Sequence, residues 1–103
     1  MQQINQQQFE TNGASDVLRL TVRNHPGVMS HVCGLFARRA FNLEGILCLP
    51  EAGGSQSVML LAIAGNGRLE QIIRQLRKLE DVVDVEPHAA GRTAFALAAM
   101  AMK

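Results

Sequence analysis

The chain changes its hydrophobic period between Val17 and Val28, and that switch limits the folds open to it. Leu18, Leu20 and Val22 alternate with Arg19, Thr21 and Arg23, the two-residue repeat of a half-buried strand. Asn24-His25-Pro26-Gly27 then breaks the repeat as a turn. Pro26 fixes φ near the value a first helical turn requires, and Gly27 permits close backbone approach. From Val28 to Ala40 the repeat is helical. Val28, Val32, Leu35 and Phe36 share one face, Met29, Cys33 and Ala40 flank it, and Ser30, His31 and Arg38 lie outside. A strand feeding a helix through so short a turn has to pack that helix back onto its own sheet.

The same alternation of periods continues. Leu43–Leu49 reads as a second strand ended by Pro50, and Glu51-Ala52-Gly53-Gly54-Ser55 as a hairpin connection. Ser57–Ala64 is a third strand that is apolar on both faces and therefore has to be covered twice. After Gly65-Asn66-Gly67, a second helix spans Arg68 to Leu79, burying Leu69, Ile72, Ile73 and Leu76 behind an outward row of Glu70, Arg74 and Lys78. Val82–Glu86 is a short fourth strand stopped by Pro87, and the alanine content of residues 94–100 favours a helix. The order βαββαβ with right-handed crossovers is an α+β, ferredoxin-like fold, a four-stranded antiparallel sheet with two helices on one face. Residues 1–15, polar and without period, are expected to be a disordered tail; residues 16–87 form the domain and 88–103 a C-terminal extension.

Two helices cover one side of such a sheet. The other presents either Met59, Leu61 and Ile63 or Val58, Leu60 and Ala62, an apolar patch of the kind that marks an interface. Self-association or docking on a partner is the expectation, since the extension is too short to cover the whole face.

Composition removes several function classes. With Lys+Arg 10 against Asp+Glu 9, the net charge is +1, too little for a nucleic-acid or acidic-membrane footprint. Four Phe without Trp or Tyr provide no base-stacking platform. Cys33 and Cys48 form no disulfide framework, which favours a reducing compartment. The first fifteen residues have no Lys or Arg to head a signal peptide, and Val58–Ala64 and Ala94–Met102 fall short of the ~20 residues that span a bilayer. The expected location is the cytoplasm.

Catalytic equipment is thin, with no GxSxG, Walker loop or HExxH. His25, His31 and Cys33 are close in sequence, but His31 and Cys33 stand two apart on a helix and face different ways, so an outer histidine and a small buried thiol are expected rather than a metal site. The suggestive segment is Arg23–Val28. It puts the free N–H groups of Gly27, Val28 and Met29 at a helix start, where an anion such as a small carboxylate is favoured. Asn24 and Asn42, on either side of that helix, add side-chain amides. From spacing alone each reads equally well as a turn or cap residue.

At these residues the sequence resembles a known family. Leu20–Met29, and then Gly34–Ile46, look like the small regulatory subunit of acetohydroxyacid synthase (acetolactate synthase), most like its isozyme 1 group; Leu69–Ile72 and Lys78–Val83 are similar to that family's second helix and fourth strand. The tail, the Glu51–Ser57 connection and the alanine-rich end depart from it. The resemblance implies an ACT domain, a small-molecule sensor that pairs with a second copy and holds its amino acid at the subunit interface. It implies a homodimer that joins a catalytic large subunit, activates it and confers feedback inhibition by valine in branched-chain amino acid biosynthesis. Thiamine diphosphate, magnesium and FAD then belong to that partner, with no cofactor and no catalytic residue in this chain. The implied effector positions are Asn24, Gly27 and Asn42, with His25, Pro26, Val28 and Met29 completing the loop and helix start.

Two other readings use the same fold. An acylphosphatase-like enzyme would employ Arg23 and Asn42, but its phosphate cradle is richer in glycine and Arg23 belongs to the strand pattern. A structural partner subunit that has lost effector binding would have no use for the intact turn.

Overall fold

The computed structural model describes residues 15–24, 26–65 and 67–103. Residues 1–14, the greater part of the expected tail, lie outside the described residues, as do His25 and Asn66. Seven elements follow in the order β1 (Ser15–Arg23), α1 (Val28–Arg38), β2 (Leu43–Pro50), β3 (Gln56–Ala64), α2 (Leu69–Leu76), β4 (Val82–Pro87) and α3 (Gly91–Ala101). The strands form one sheet in the order β2-β3-β1-β4, with every neighbouring pair antiparallel. This is the ferredoxin-like arrangement expected from the alternating periods. Element ends shift by up to three residues: β1 opens at Ser15 rather than Val17, α1 closes at Arg38 rather than Ala40, and α2 closes at Leu76 rather than Leu79.

Alternation along the strands sorts the two faces. Leu18, Leu20 and Val22 of β1 and Met59, Leu61 and Ile63 of β3 are buried under α1 and α2, where they meet Val32, Leu35, Phe36, Ile72 and Leu76. Fully burying each of these larger side chains contributes about 1.5–3 kcal/mol, and this layer is the main core. The opposite face carries a smaller cluster of Val17, Ala62 and Phe95, with Leu47 and Leu60 packed at its margin. Phe95 is brought there by α3, which thus lies against the second face. A Cβ on Gly45 would stand 2.9 Å from the Phe95 ring, so the bare backbone of β2 is what lets the ring come down. The cover is partial. Val58 and Leu60 stay half-buried, while Leu49 of β2 and Leu97 and Met100 of α3 face solvent.

Among the described residues, no helix is long and apolar enough to cross a membrane.

Candidate functional site

The turn between β1 and α1 has its shape because Gly27 takes φ 92°, ψ −10°, a left-handed conformation that an L side chain resists. Gly27 is the N-cap of α1, and among the described residues no side chain caps the helix there; its first turn also holds no acidic residue. The N–H of His31 donates to the Gly27 carbonyl at 3.0 Å and starts the helical ladder. Among the described residues, no backbone bond outside the ladders is donated by Gly27, Val28 or Met29. Their N–H groups therefore stand at the positive end of the helix dipole, available to a carboxylate. Val28 is buried beside them, Met29 is 39% exposed and Pro26 is exposed.

Asn24 is held from across the chain. Its backbone N–H donates to the Ser55 carbonyl at 3.1 Å and its Nδ2 to the Gly54 carbonyl at 2.9 Å. The side chain is exposed, and Oδ1 remains available as an acceptor.

Asn42 is elsewhere. Strand register puts Arg23 opposite Gln56, so Asn24 follows at the hairpin end of the sheet. The Ala64 N–H donates to the Asn42 carbonyl at 3.1 Å, which places Asn42 at the opposite end, beside the start of β1. The eight residues of β2 separate these two ends by about 26 Å at ~3.3 Å per residue. Within one chain, then, Asn24, Pro26, Gly27, Val28 and Met29 come together and Asn42 does not join them.

The surroundings of the turn include residues that sequence spacing could not bring in. Asp81 is buried at 8% exposure; its carbonyl accepts the Arg23 N–H at 2.8 Å, and its Oδ2 lies 3.1 Å from Nδ1 of the exposed His31. Gly54 and Ser55 are about thirty residues from Asn24, so only the β1–β3 register discloses their role. Cys33 corrects an expectation. It is exposed rather than buried, because the stripe of α1 runs through Val28, Val32, Leu35 and Phe36 and residue 33 falls beyond its margin. Among the described residues, no group of three or more His, Cys, Asp or Glu is placed to hold a metal ion.

Comparison with known proteins agrees with this architecture. The profile of the family described as the AHAS small subunit-like ACT domain matches residues 18–84. The chain is 60% identical over 79 residues to the acetolactate synthase isozyme 1 small subunit of Escherichia coli K12, covering 77% of this chain and 82% of that one. It is 36% identical over 76 residues to the isozyme 3 small subunit of the same organism, covering 73% of this chain and 47% of the relative. Among solved structures, the acetolactate synthase small subunit of Thermotoga maritima superposes with a TM-score of 0.66 at 36% identity, over 71% of this chain and 46% of that one. The matched stretch runs from β1 to β4 and contains the uncapped turn, and the chain belongs to the family of acetolactate synthase small subunits built on an ACT domain.

Proposed function

We propose that this chain is the regulatory subunit of an acetohydroxyacid synthase, binding valine at an interface between two copies of itself and passing its occupancy to a catalytic large subunit. The observation that carries this reading is the start of α1, with its left-handed Gly27 and with N–H groups that are uncapped and unengaged among the described residues. The backbone N–H groups of Gly27 and Val28 take the carboxylate of the amino acid, and Oδ1 of Asn24 accepts from its ammonium. The isopropyl group rests against Val28 and Met29. Such an apolar contact separates ligands one methylene apart by only ~1–3 kcal/mol, so leucine and isoleucine bind more weakly without being refused.

The distance between Asn24 and Asn42 favours a shared site. β2 is an edge strand, and its outer side is open to pairing. Antiparallel association along β2 would bring Asn42 of a second copy beside Pro50 of the first, at the end where Asn24 and Gly27 lie. Each site would then take its turn and helix start from one copy and its second amide from the other. Occupancy would alter how the copies pack and hence how the catalytic subunit is held. Inhibition requires that the two arrangements of the complex differ in valine affinity.

The reaction itself belongs to the partner. Thiamine diphosphate, magnesium and FAD are assigned to the catalytic subunit, which this chain activates in the cytoplasm. The test is reconstitution with the catalytic subunit, followed by acetolactate production with and without valine, for the native chain and for Asn24→Ala. Activation by both chains with valine inhibition only in the native one is the expected result. Equal inhibition of both would overturn the site. A chain that activates but gives no heat with valine by calorimetry would be a structural partner instead.

A further inference from the structure

We infer that the β2–β3 hairpin is the positioning element of the effector site, its Gly54 carbonyl fixing the Asn24 amide so that Oδ1 is presented to the ligand's ammonium. The inference rests on the effector reading above and concerns the geometry of that same site.

The ladder between β1 and β3 ends at Arg23 opposite Gln56. Two further bonds extend it past the strands, from the Asn24 N–H to Ser55 and from Asn24 Nδ2 to Gly54. The hairpin is closed without them. The Glu51 N–H donates to Gln56 at 2.9 Å and the Gly54 N–H to Glu51 at 3.0 Å. Gly53 and Gly54 take φ 97° and 78°, left-handed conformations that glycine supplies to the four-residue loop between Glu51 and Gln56. Closing the hairpin therefore explains the two glycines but not the bond to Asn24.

That bond has a chemical consequence. An exposed asparagine otherwise samples several rotamers and both orientations of its amide. Turned over, the amide would set Oδ1 against the Gly54 carbonyl, acceptor against acceptor, so this partner selects one orientation. The donor edge is consumed by the protein, and the acceptor edge is left for a ligand with N–H groups to give. An ammonium fits this; a second carboxylate does not. The hairpin also continues directly from β2, the strand proposed to meet the second copy, so movement at that seam reaches Asn24 through five exposed or half-buried residues.

Gly54→Val tests the inference in the full chain reconstituted with the catalytic subunit. A Cβ at Gly54 meets nothing within 4 Å, so the substitution acts on the left-handed backbone rather than through a clash. The valine concentration for half-inhibition is expected to rise about three- to tenfold, the worth of one neutral hydrogen bond, while the variant still co-purifies with the catalytic subunit. The Asn24 side-chain amide resonance is expected to lose the shift of its bonded proton. Gly54→Asn, which tolerates a left-handed φ, should restore both readouts, and Gly54→Ala serves if the valine variant does not fold. A Gly54 variant with a displaced Asn24 resonance and a native half-inhibition point would overturn the inference. Valine inhibition that survives Asn24→Ala would instead overturn the effector site on which it rests.

Discussion

Helix α1 starts open and ends sealed, and its two termini lie at the two ends of the sheet. At the C-terminus the Ala40 N–H donates to Ala37 at 3.3 Å and the Phe41 N–H to Phe36 at 3.0 Å, the paired bonds of a Schellman motif. The rings of Phe36 and Phe41 close over it, edge to face with centroids 5.9 Å apart. The Arg68 guanidinium stacks 4.4 Å above the Phe41 ring and donates to the Ala40 carbonyl at 3.1 Å. At the N-terminus none of this happens. Gly27 turns the chain, and among the described residues no side chain caps it. A Ser, Thr, Asp or Asn cap would exceed glycine by only a few tenths of a kcal/mol, and φ 92° would strain it. The end left open, while the other is closed three times over, is the one proposed above to take the effector.

That contrast can be broken from the sealed side, where the largest effects are expected. Phe41→Ala removes a ring that is 6% exposed and serves two partners at once. A loss of about 3–5 kcal/mol in urea unfolding is expected, with β2 losing its anchor to α1. A loss under about 1 kcal/mol would show that the motif closes without its cover.

The next pair of substitutions runs in opposite directions. Gly27→Ala puts a side chain at φ 92° with nothing within 4 Å to collide with, so backbone strain alone sets its cost, about 1–2 kcal/mol. Ala40 has the complementary defect, a non-glycine residue at φ 57° in the position where helices prefer glycine. Ala40→Gly is expected to raise stability by about 0.5–1 kcal/mol, read as a higher thermal midpoint. Opposite signs from the same pair of residue types would separate conformational strain from packing at both termini.

How much of this is legible beforehand follows from the range of each interaction. The strands and helices are local, and the switch of period at Asn24–Gly27 announces the first crossover without tertiary information. The stripe of Val28, Val32, Leu35 and Phe36 is likewise periodic and is buried as expected. The early stop of α1 is harder to read. Ala40 has good helix propensity, and only Phe41, Phe36 and Arg68 together force it left-handed. The Asn24 turn is visible as a motif, but its partners Gly54, Ser55 and Asp81 arrive through strand register, across about thirty residues or more. Asn42 shows the same limit from the other side. It is adjacent to α1 in sequence, yet a helix carries its two neighbours to opposite ends of the fold.

The smallest effect on stability is expected at Asn42, and it is also the sharpest test of the comparison. Its side chain is exposed at the sealed end, so Asn42→Ala should leave unfolding within about 0.5 kcal/mol of the native chain. Its effect on valine should nonetheless match that of Asn24→Ala, because the proposed shared site takes an open end from one copy and a sealed end from another. Mixing the two variants separates the alternatives. If every chain held a complete site, mixed dimers would contain only broken ones and would not respond to valine. If the sites are shared, a mixed dimer has one site in which both alanines fall and one in which neither does, since the intact Asn24 of one copy meets the intact Asn42 of the other. Recovery of valine inhibition on mixing two unresponsive proteins, in proportion to the mixed dimer formed, is the expected outcome. Its absence with mixed dimers present would return Asn42 to a purely local role at the start of β2.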